Sequence, residues 1–578
     1  MSSLFSCKQI VLLTGKIIKD KVYLSKSYEL MKLICRNQKE DCMGDYYSLV
    51  ILFFVLIGLI FLYNFYVKQR NEKILRQEII KNFGKVHSKK FKGKINGLHK
   101  RLGGNVSDIT ANDLNLDEIL EKMNHSMSKM GLEYFYYRIR DLILDKDELT
   151  RLQEKRKIYE DREDDLEDLQ FQLGKLGYFK EDLLELVEEE IKIQRELALA
   201  ARIFSFTALY ILILFISLRA QAILFIFGLL AANTFIYKKF NEMTFGKLEA
   251  LVRLKSLLNV SEGLLKNKSQ IFKDEIEEIE NILTELGPLK RSLRSFGFLT
   301  GNMEMDFAET YKNILFLSEA RSFSKTQKYF KVYKDEIFRL YYLLGKIDCE
   351  IGIISLSKAY KTGEASFGNK ILGKDLYNPL IKDPVPNDLD LDKSIILTGS
   401  NASGKSTYLR TVGINTIFAL AFGIFFGEEF EIKPMKITSA IDISDSIMKN
   451  LSYFMAESKA IGDMIEDESE KKILLDEIFR GTNTIDRIAS ATATLKYLAK
   501  NNHVIAATHD IELTILLKDS FVNKHFEEKI EEGDIKFDYL LKDGPARSRN
   551  AIAILDSLNY PRDIIEEAKK LSREMEEK

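Results

Sequence analysis

The chain has 578 residues, a length typical of three or more folded domains at ~100–200 residues each. Hydrophobic residues make up 46% and charged residues 30%, with 7 Pro and 31 Gly, and these values exclude a collagen-like, disulfide-rich or wholly disordered chain. The formal net charge of −1 gives no global sign of nucleic-acid binding, although an average over the whole chain conceals opposed local charges.

The first feature along the chain is an uncharged run of 22 residues over 46–67, between Asp45 and Lys68. This is the length that an α-helix needs to cross a bilayer, so we predict a membrane span there, after a short N-terminal segment over 1–45. Six Lys or Arg follow the run within twenty residues, against three in the eighteen residues before it. The excess of positive charge predicts that the C-terminal side is cytoplasmic.

A second apolar region covers 203–237 and is interrupted by Arg219-Ala220-Gln221. It is either one long helix or a hairpin of two short spans that turns at this tripeptide. The hairpin is favoured because an arginine at a turn avoids the free-energy cost of charge in the middle of the bilayer. The sequence therefore predicts a multi-pass membrane protein with three spans and a cytoplasmic C-terminal domain.

Two charged stretches lie between these apolar regions. Residues 68–101 hold twelve Lys or Arg and two Glu, whereas residues 141–190 hold eighteen Asp or Glu and eight Lys or Arg. A basic stretch binds either anionic lipid head groups or a phosphate backbone, and its position beside a predicted span favours the lipid bilayer as a partner. The acidic stretch is typical of the solvated face of long helices.

Most of the remaining chain before residue 377 predicts long amphipathic helices. Within the predicted segments 68–202 and 238–376, apolar residues recur at intervals of three and four between Glu and Lys over 117–200 and 240–360. Three of the seven prolines then lie within 378–393, which indicates a boundary before a compact domain over 377–578.

That domain opens with a phosphate-binding motif. An apolar run of strand length is followed by GSNASGKS, which matches G-x-x-x-x-G-K-[ST], and then by a helical pattern. In such a loop, backbone N–H groups and a lysine bind phosphate oxygens, and the serine hydroxyl binds Mg²⁺. The candidate nucleotide-binding residues are Gly399, Ser400, Asn401, Ala402, Ser403, Gly404, Lys405, Ser406 and Thr407.

Two further apolar strands end in polar residues. The run KILL leads into Asp476 and Glu477, and the strand over 503–508 leads into His509. Ligands bind at the carboxyl ends of parallel strands, so we expect these three side chains to join the phosphate-binding loop. Asp476 would bind Mg²⁺ with Ser406, and Glu477 would orient and deprotonate the attacking water. His509 would meet the terminal phosphate.

Residues 394 to about 570 resemble the ATPase domain of the MutS family, the ABC-type ATPases of mismatch repair. The resemblance rests on an ordered set of motifs: TGSNASGKSTYLR, LSYFMAE, LLDEIFRGTNTID, AATHD and KDGPARSRNAIAILDSLNYPRDIIEEAKKL. Two upstream segments, SMSKMGLEYFYYRIRD (126–141) and IDCEIGIISLSKAY (347–360), are similar to the helical core and lever of the family. With the spans predicted from the apolar runs, the predicted fold is α plus α/β, in which N-terminal membrane spans and a long helical lever and core region precede a C-terminal ABC-type P-loop ATPase domain.

The resemblance also implies cofactors and partners. It implies binding of ATP and Mg²⁺ in the loop, with Glu477 as the catalytic base and His509 as the sensor of the γ-phosphate. Ser452, in the segment that matches the family signature, would act on the ATP of a partner subunit, which implies a homodimer through the ATPase domains. A Gly-Arg pair usual before that serine is replaced here by Asn450-Leu451. Tyr377 is a candidate for stacking on adenine.

The resemblance further implies DNA as a ligand, but the N-terminal region departs from the family. The mismatch-reading domain uses a Phe-x-Glu wedge, and the tripeptide Phe179-Lys180-Glu181 is more simply a chance match among 37 Phe and many Glu. We therefore predict a membrane-anchored MutS-like ATPase that binds DNA. One alternative is an ATP-driven, membrane-attached scaffold for proteins without DNA contact, and another is half of an ABC transporter.

Overall fold

A computed structural model of the protein describes most of the chain after residue 61. The described residues are 62–63, 65–88, 91, 95–179, 182–188, 195–207, 209–211, 213, 222–244, 247–266, 271–296, 303–400, 403–442, 453–531, 534–546 and 560–576. The chain divides into two compact units, Met1–Gln77 and Glu78–Lys578. Of the first unit, 62–63 and 65–77 are described, and they are helical. The domain boundaries drawn from the sequence stay predictions.

Helices dominate the second unit up to residue 359. In chain order they are α1 Gly97–Leu102, α2 Asp108–Asp113, α3 Leu116–Met123, α4 Lys129–Arg140, α5 Lys146–Glu160, α6 Glu163–Gly174, α7 Leu183–Glu188, α8 Arg195–Phe204, α9 Ala222–Met243, α10 Lys247–Leu265, α11 Lys273–Glu285, α12 Gly287–Leu293, α13 Met303–Phe316, α14 Ser318–Val332 and α15 Lys334–Ala359. The amphipathic helices expected from the sequence are therefore present, and α5 begins at a side-chain cap in which Asp145 accepts hydrogen bonds from the backbone of Asp147 and Glu148.

The centre of this helical region is the contact between α4 and α15. The backbones approach so closely that a Cβ on Gly345 would lie 2.6 Å from the carbonyl oxygen of Met130. The buried carboxylate of Asp348 on α15 accepts hydrogen bonds from the backbone N–H of Ser128 at 2.7 Å and of Met127 at 3.0 Å. The two segments that resemble the family core thus lie against each other.

The predicted membrane spans are wrong. Among the residues that the structure describes, no helix is long and apolar enough to cross a membrane. In the second apolar region, α9 packs against other parts of the helical region. Its fully buried Asn233 accepts a hydrogen bond from the Thr207 hydroxyl at 3.1 Å and donates one to the carbonyl of Ile314 at 2.7 Å. Near its C-terminal end, Phe240 is buried against Phe323.

This finding corrects the fold class and the localisation. The fold class with N-terminal membrane spans is wrong, and so is the multi-pass membrane localisation that followed from it. The lipid bilayer, expected as a partner from the spans and the basic stretch beside them, loses this support. Residues 46–61 of the first predicted span lie outside the described residues.

The C-terminal part of the second unit combines strands with helices. Its strands are β1 Thr362–Glu364, β2 Ser366–Phe367, β3 Leu372–Leu376, β4 Asn387–Asp390, β5 Ser394–Thr398, β6 Ile424–Phe426, β7 Glu429–Ile432, β8 Lys436–Ala440, β9 Lys471–Asp476, β10 His503–Thr508, β11 Phe521–His525, β12 Glu528–Glu531, β13 Asp534–Phe537 and β14 Lys542–Asp543. Its helices are α16 Lys405–Phe422, α17 Tyr453–Glu466, α18 Thr484–Leu498, α19 Ile511–Leu516 and α20 Arg562–Glu576.

A six-stranded sheet organises this region, in the order β14-β11-β5-β10-β9-β8. All of its pairs are parallel except β11 with β14. Strands β5 and β9 are buried along their whole length, as expected for strands covered on both faces. In the registers of β10, Ala507 lies beside Asp476 and Thr508 beside Thr398, so three carboxyl ends meet at one edge.

Candidate functional site

The phosphate-binding loop connects β5 to the N-terminus of α16, as the sequence predicts. Gly399 and Gly404 have φ of 149° and 110°, which are conformations that favour glycine. A Cβ on Gly399 would also lie 2.7 Å from the hydroxyl of Ser403 and 2.9 Å from the carbonyl oxygen of Phe526. The first glycine of the motif is therefore required both by backbone conformation and by space.

Lys405 is folded back onto the loop that precedes it. Its Nζ donates hydrogen bonds to the carbonyl oxygens of Gly399 at 2.7 Å and Ser400 at 2.9 Å. Burial lowers the pKa of the Lys405 ammonium to about 8, although the charges of Glu477 and Asp476 oppose this effect. The lysine is thus at the loop, and its donors are held by backbone carbonyls.

Ser406 and Asp476 form the pair expected to hold Mg²⁺. The Ser406 hydroxyl donates a hydrogen bond to Oδ2 of Asp476, while Oδ1 is buried and makes no hydrogen bond. Burial raises the pKa of Asp476, and the bond from Ser406 partly offsets that effect. Among the described residues, no group of three or more His, Cys, Asp and Glu could hold a metal. A serine, one carboxylate with a spare oxygen and substrate phosphates match the way Mg²⁺ is bound in such sites.

Glu477 lies between two cationic or hydrogen-donating side chains. Its Oε1 is 2.6 Å from Nε2 of His509, and its Oε2 is 2.7 Å from Nε of Arg480. Burial on its own raises the pKa of Glu477, but the hydrogen bond and charge of His509, together with Arg480 and Lys405, outweigh it and lower the pKa. The carboxylate is consequently ionised and oriented.

His509 directly follows β10, His503–Thr508. Its Nε2 also lies 3.2 Å from Nζ of Lys405. Because an ammonium nitrogen only donates, the proton on Nε2 is directed to Glu477 and not to the lysine. The next residue, Asp510, accepts two hydrogen bonds from Arg487 at 2.9 and 2.7 Å, which fixes the chain after the strand.

Four of the predicted residues are not observed at the loop. Asn401, Ala402 and Ser452 lie outside the described residues. Tyr377 is not at the loop: its hydroxyl donates to the carbonyl of Lys361, and its own carbonyl accepts from Asn415, which is ten residues into α16. The remaining predicted residues gather at the edge of the sheet, with Thr407 exposed on the first turn of α16.

Sequence reasoning missed several residues that contact the site. Arg480 pairs with Glu477, and Glu528 accepts a hydrogen bond from the Ser400 hydroxyl at 3.0 Å. The exposed ring of Tyr539 would lie 3.4 Å from a Cβ on Gly404. Arg480 is three residues after Glu477 and could have been suspected from that spacing. Glu528 lies on β12 and Tyr539 follows β13, and only the fold brings these two residues to the loop.

The sequence of this region is similar to that of known proteins. The family model for MutS domain V matches residues 395–576. The chain is 31% identical over 250 residues to the DNA mismatch repair protein MutS of Aquifex pyrophilus, covering 40% of this chain and 29% of that protein. It is 30% identical over 283 residues to the protein of the same name from Listeria monocytogenes, covering 45% and 32%. For the protein from Thermus thermophilus the identity is 28% over 236 residues, covering 40% and 29%.

The matched region includes the whole loop and the residues around it, from β5 to α20. The chain spans less than a third of the length of these relatives. The chain therefore contains a MutS domain V over residues 395–576, and it is similar to proteins named DNA mismatch repair protein MutS.

Proposed function

We propose that the protein binds ATP with Mg²⁺ at the edge where β5, β9 and β10 end, and that water there cleaves the bond between the β- and γ-phosphates to give ADP and inorganic phosphate. The observation that carries this proposal is the convergence of the phosphate-binding loop, the Ser406–Asp476 pair and the oriented carboxylate of Glu477. The match to MutS domain V supports it.

The binding step is an exchange of partners at Lys405. Its ammonium gives up the carbonyls of Gly399 and Ser400 and donates to phosphate oxygens instead. Ser406 and the spare oxygen of Asp476 would hold Mg²⁺, which neutralises the negative charge of the phosphates when it is bound. The N-terminus of α16 adds backbone N–H donors aimed at the same anion.

The chemical step falls to Glu477. Its ionised carboxylate accepts a proton from the attacking water, for which it has to be released in part from His509 or Arg480. His509, which binds Glu477 in the structure, can donate the same N–H to the γ-phosphate. The histidine thereby senses the phosphate and frees an oxygen of the base.

We also propose that two copies of the chain form a dimer and that Ser452 of one copy completes the site of the other. This rests on the family resemblance of the segment LSYFMAE, since Ser452 lies outside the described residues. The site described above holds its own phosphate loop, metal pair and base, so the partner would supply only the remaining contact to the nucleotide.

DNA is the proposed macromolecular ligand, because the relatives are named as DNA mismatch repair proteins. We do not propose that the protein recognises mismatched base pairs. If the protein binds duplex or branched DNA, the affinity will fall steeply as salt rises, because bound phosphates release counterions. A titration of the full chain with both DNA forms at low and high salt tests this. No binding at low salt would favour an ATP-driven scaffold for proteins instead.

The experiment for ATP hydrolysis compares the wild-type chain with Glu477→Gln. We expect the variant to bind ATP with Mg²⁺ as tightly as the wild type and to lose turnover, because glutamine keeps the shape but cannot accept the proton. Glu512→Gln, an exposed carboxylate after β10, is the matched control and should hydrolyse ATP normally. Unchanged hydrolysis in Glu477→Gln would show that another residue is the base.

A further inference from the structure

The turn that carries Glu477 is held from the outside by helix α17. The ring of Phe454 on this helix packs against the ring of Phe479 with 5.9 Å between centroids. A Cβ on Gly481 would lie 2.8 Å from Cβ of Phe454, so the glycine lets the turn approach the helix. The helix and the turn are therefore in direct contact immediately after the catalytic carboxylate.

The turn has an unfavourable backbone conformation. Glu477 and Phe479 have φ of 52° and 62°, in the left-handed region that side chains other than glycine rarely adopt. Such conformations persist only when the surrounding structure holds them in place. On one side the backbone N–H of Glu477 donates to the carbonyl of Ala507 on β10 at 2.8 Å.

On the other side the turn is held by Glu457. This residue on α17 is 4% exposed, and its Oε1 accepts a hydrogen bond from the backbone N–H of Phe479 at 2.5 Å. Burial raises the pKa of Glu457, and the backbone N–H groups of Phe479 and Arg480 oppose that effect. A side chain of this length reaches across from the helix, so its acceptor atom fixes where the turn lies.

From these contacts we infer that Glu457 is a positioning residue for the catalytic base. It holds the left-handed turn at Phe479, and the turn places the carboxylate of Glu477 where His509 and Arg480 bind it. Hydrolysis then depends on the position of α17, the helix that follows Ser452 in the sequence. This inference rests on the proposed function, because it concerns the rate of the same reaction.

Two substitutions of Glu457 distinguish the effect of side-chain length from the effect of charge. Glu457→Gln keeps an acceptor oxygen at the same distance and removes the charge, so we expect kcat for ATP to stay within about threefold of the wild type. Glu457→Asp keeps the charge and shortens the side chain by one methylene, so the bond to Phe479 is lost and kcat should fall about tenfold or more. The affinity for ATP with Mg²⁺ should stay unchanged in both variants, because neither touches the phosphate loop.

The measurements are kcat, KM, and the binding of a non-hydrolysable ATP analogue with Mg²⁺ to the full-length chain. Glu466→Asp, an exposed residue at the end of the same helix, serves as the control and should match the wild type. Equal losses in Glu457→Gln and Glu457→Asp, a wild-type kcat in Glu457→Asp, or a parallel loss of kcat and analogue binding would overturn the inference.

A different set of results would contradict the proposed function itself. A wild-type chain without ATPase activity, or a Lys405→Ala variant as active as the wild type, would remove the proposed function. An active wild type, an inactive Lys405→Ala and an unaffected Glu457→Asp would leave the function in place and remove only the role of Glu457.

Discussion

The hydroxyl of Ser439 donates a hydrogen bond to the buried carboxylate of Asp113 at 2.6 Å, and this contact joins helix α2 to β8, the edge strand of the six-stranded sheet. The same carboxylate accepts from the backbone N–H of Ile441 at 2.9 Å and of Asp442 at 3.0 Å. The carbonyl of Asp113 accepts from Arg410 on α16 at 2.8 Å. One residue of the helical region thus contacts both the sheet and the helix that begins at the phosphate loop.

Asp113→Ala should destabilise the protein. The substitution leaves the Ser439 hydroxyl and the backbone N–H of Ile441 buried without an acceptor and also removes the bond to the backbone N–H of Asp442, and we expect a loss of about 3 kcal/mol in the free energy of unfolding. Chemical denaturation followed by circular dichroism measures it. Glu121→Ala, an exposed position on α3, should change the free energy of unfolding by less than about 0.5 kcal/mol. Equal stability of the two variants would show that the Asp113 contacts contribute little.

ATP affinity should depend on pH through Lys405. The pKa of this ammonium is lowered to about 8, and phosphate binds its protonated form. The dissociation constant for ATP with Mg²⁺ should therefore be constant below pH 8 and should rise above it, by up to about tenfold per pH unit. Equilibrium titration with a non-hydrolysable analogue between pH 6.5 and 9.5 (roughly spanning this pKa) tests this. A flat profile would mean that the lysine stays charged throughout.

Complementation between two inactive variants tests the composite site. Lys405→Ala removes the phosphate contact of its own site, and Ser452→Ala removes the contact made to the partner's site. In a dimer with one copy of each variant, both substitutions affect the same site and the other site is intact. About half of the dimers in an equal mixture are of this kind, so the mixture should recover about a quarter of wild-type activity if the sites are independent. Each variant alone is the control. No recovery after subunit exchange would contradict a Ser452 that acts across the dimer.

Lys472→Met should stabilise the protein at neutral pH. Lys472 is fully buried, and its Nζ donates to the Thr416 hydroxyl at 2.8 Å and lies 5.6 Å from the centroid of the Phe430 ring. Burial lowers the pKa of this ammonium to about 7. Methionine fills similar space, and Thr416 retains its own bond to the carbonyl of Val412. The gain should be about 2 kcal/mol at pH 7.

The sign of the pH dependence follows from the lowered pKa. Between pH 7 and 10.5 the unfolded chain binds more protons than the folded one, so the wild type gains stability as pH rises. The advantage of Lys472→Met should therefore be largest at pH 7 and below and should decrease steadily as pH rises towards 10.5. Thermal unfolding of the wild type, of Lys472→Met and of the exposed control Lys496→Met measures this difference. An advantage independent of pH would contradict the burial of a chargeable amine as its cause.

The candidate site was largely predictable because its residues lie in short sequence segments with recognisable patterns. The loop from Gly399 to Ser406, the Asp476-Glu477 pair and His509 each follow an apolar strand, and parallel strands bring their carboxyl ends together. The membrane spans were predicted wrongly from run length. In α9, the run is broken by Asn233, whose hydrogen bonds to Thr207 and Ile314 fix that part of the helix in the helical region.

The sequence alone therefore predicted the phosphate-binding loop, the Ser406–Asp476 pair, the carboxylate of Glu477 and the resemblance to the MutS family, because those residue types have a fixed spacing along the chain. Only the tertiary structure decided which side chains support them. Glu457, Glu528 and Asp113 contact the candidate site or its sheet from a helix, a hairpin and the helical region, through contacts between residues far apart in sequence. The physical reason is that a local sequence pattern predicts the backbone conformation of its own segment, whereas contacts between distant segments depend on how helices and strands pack in the folded protein.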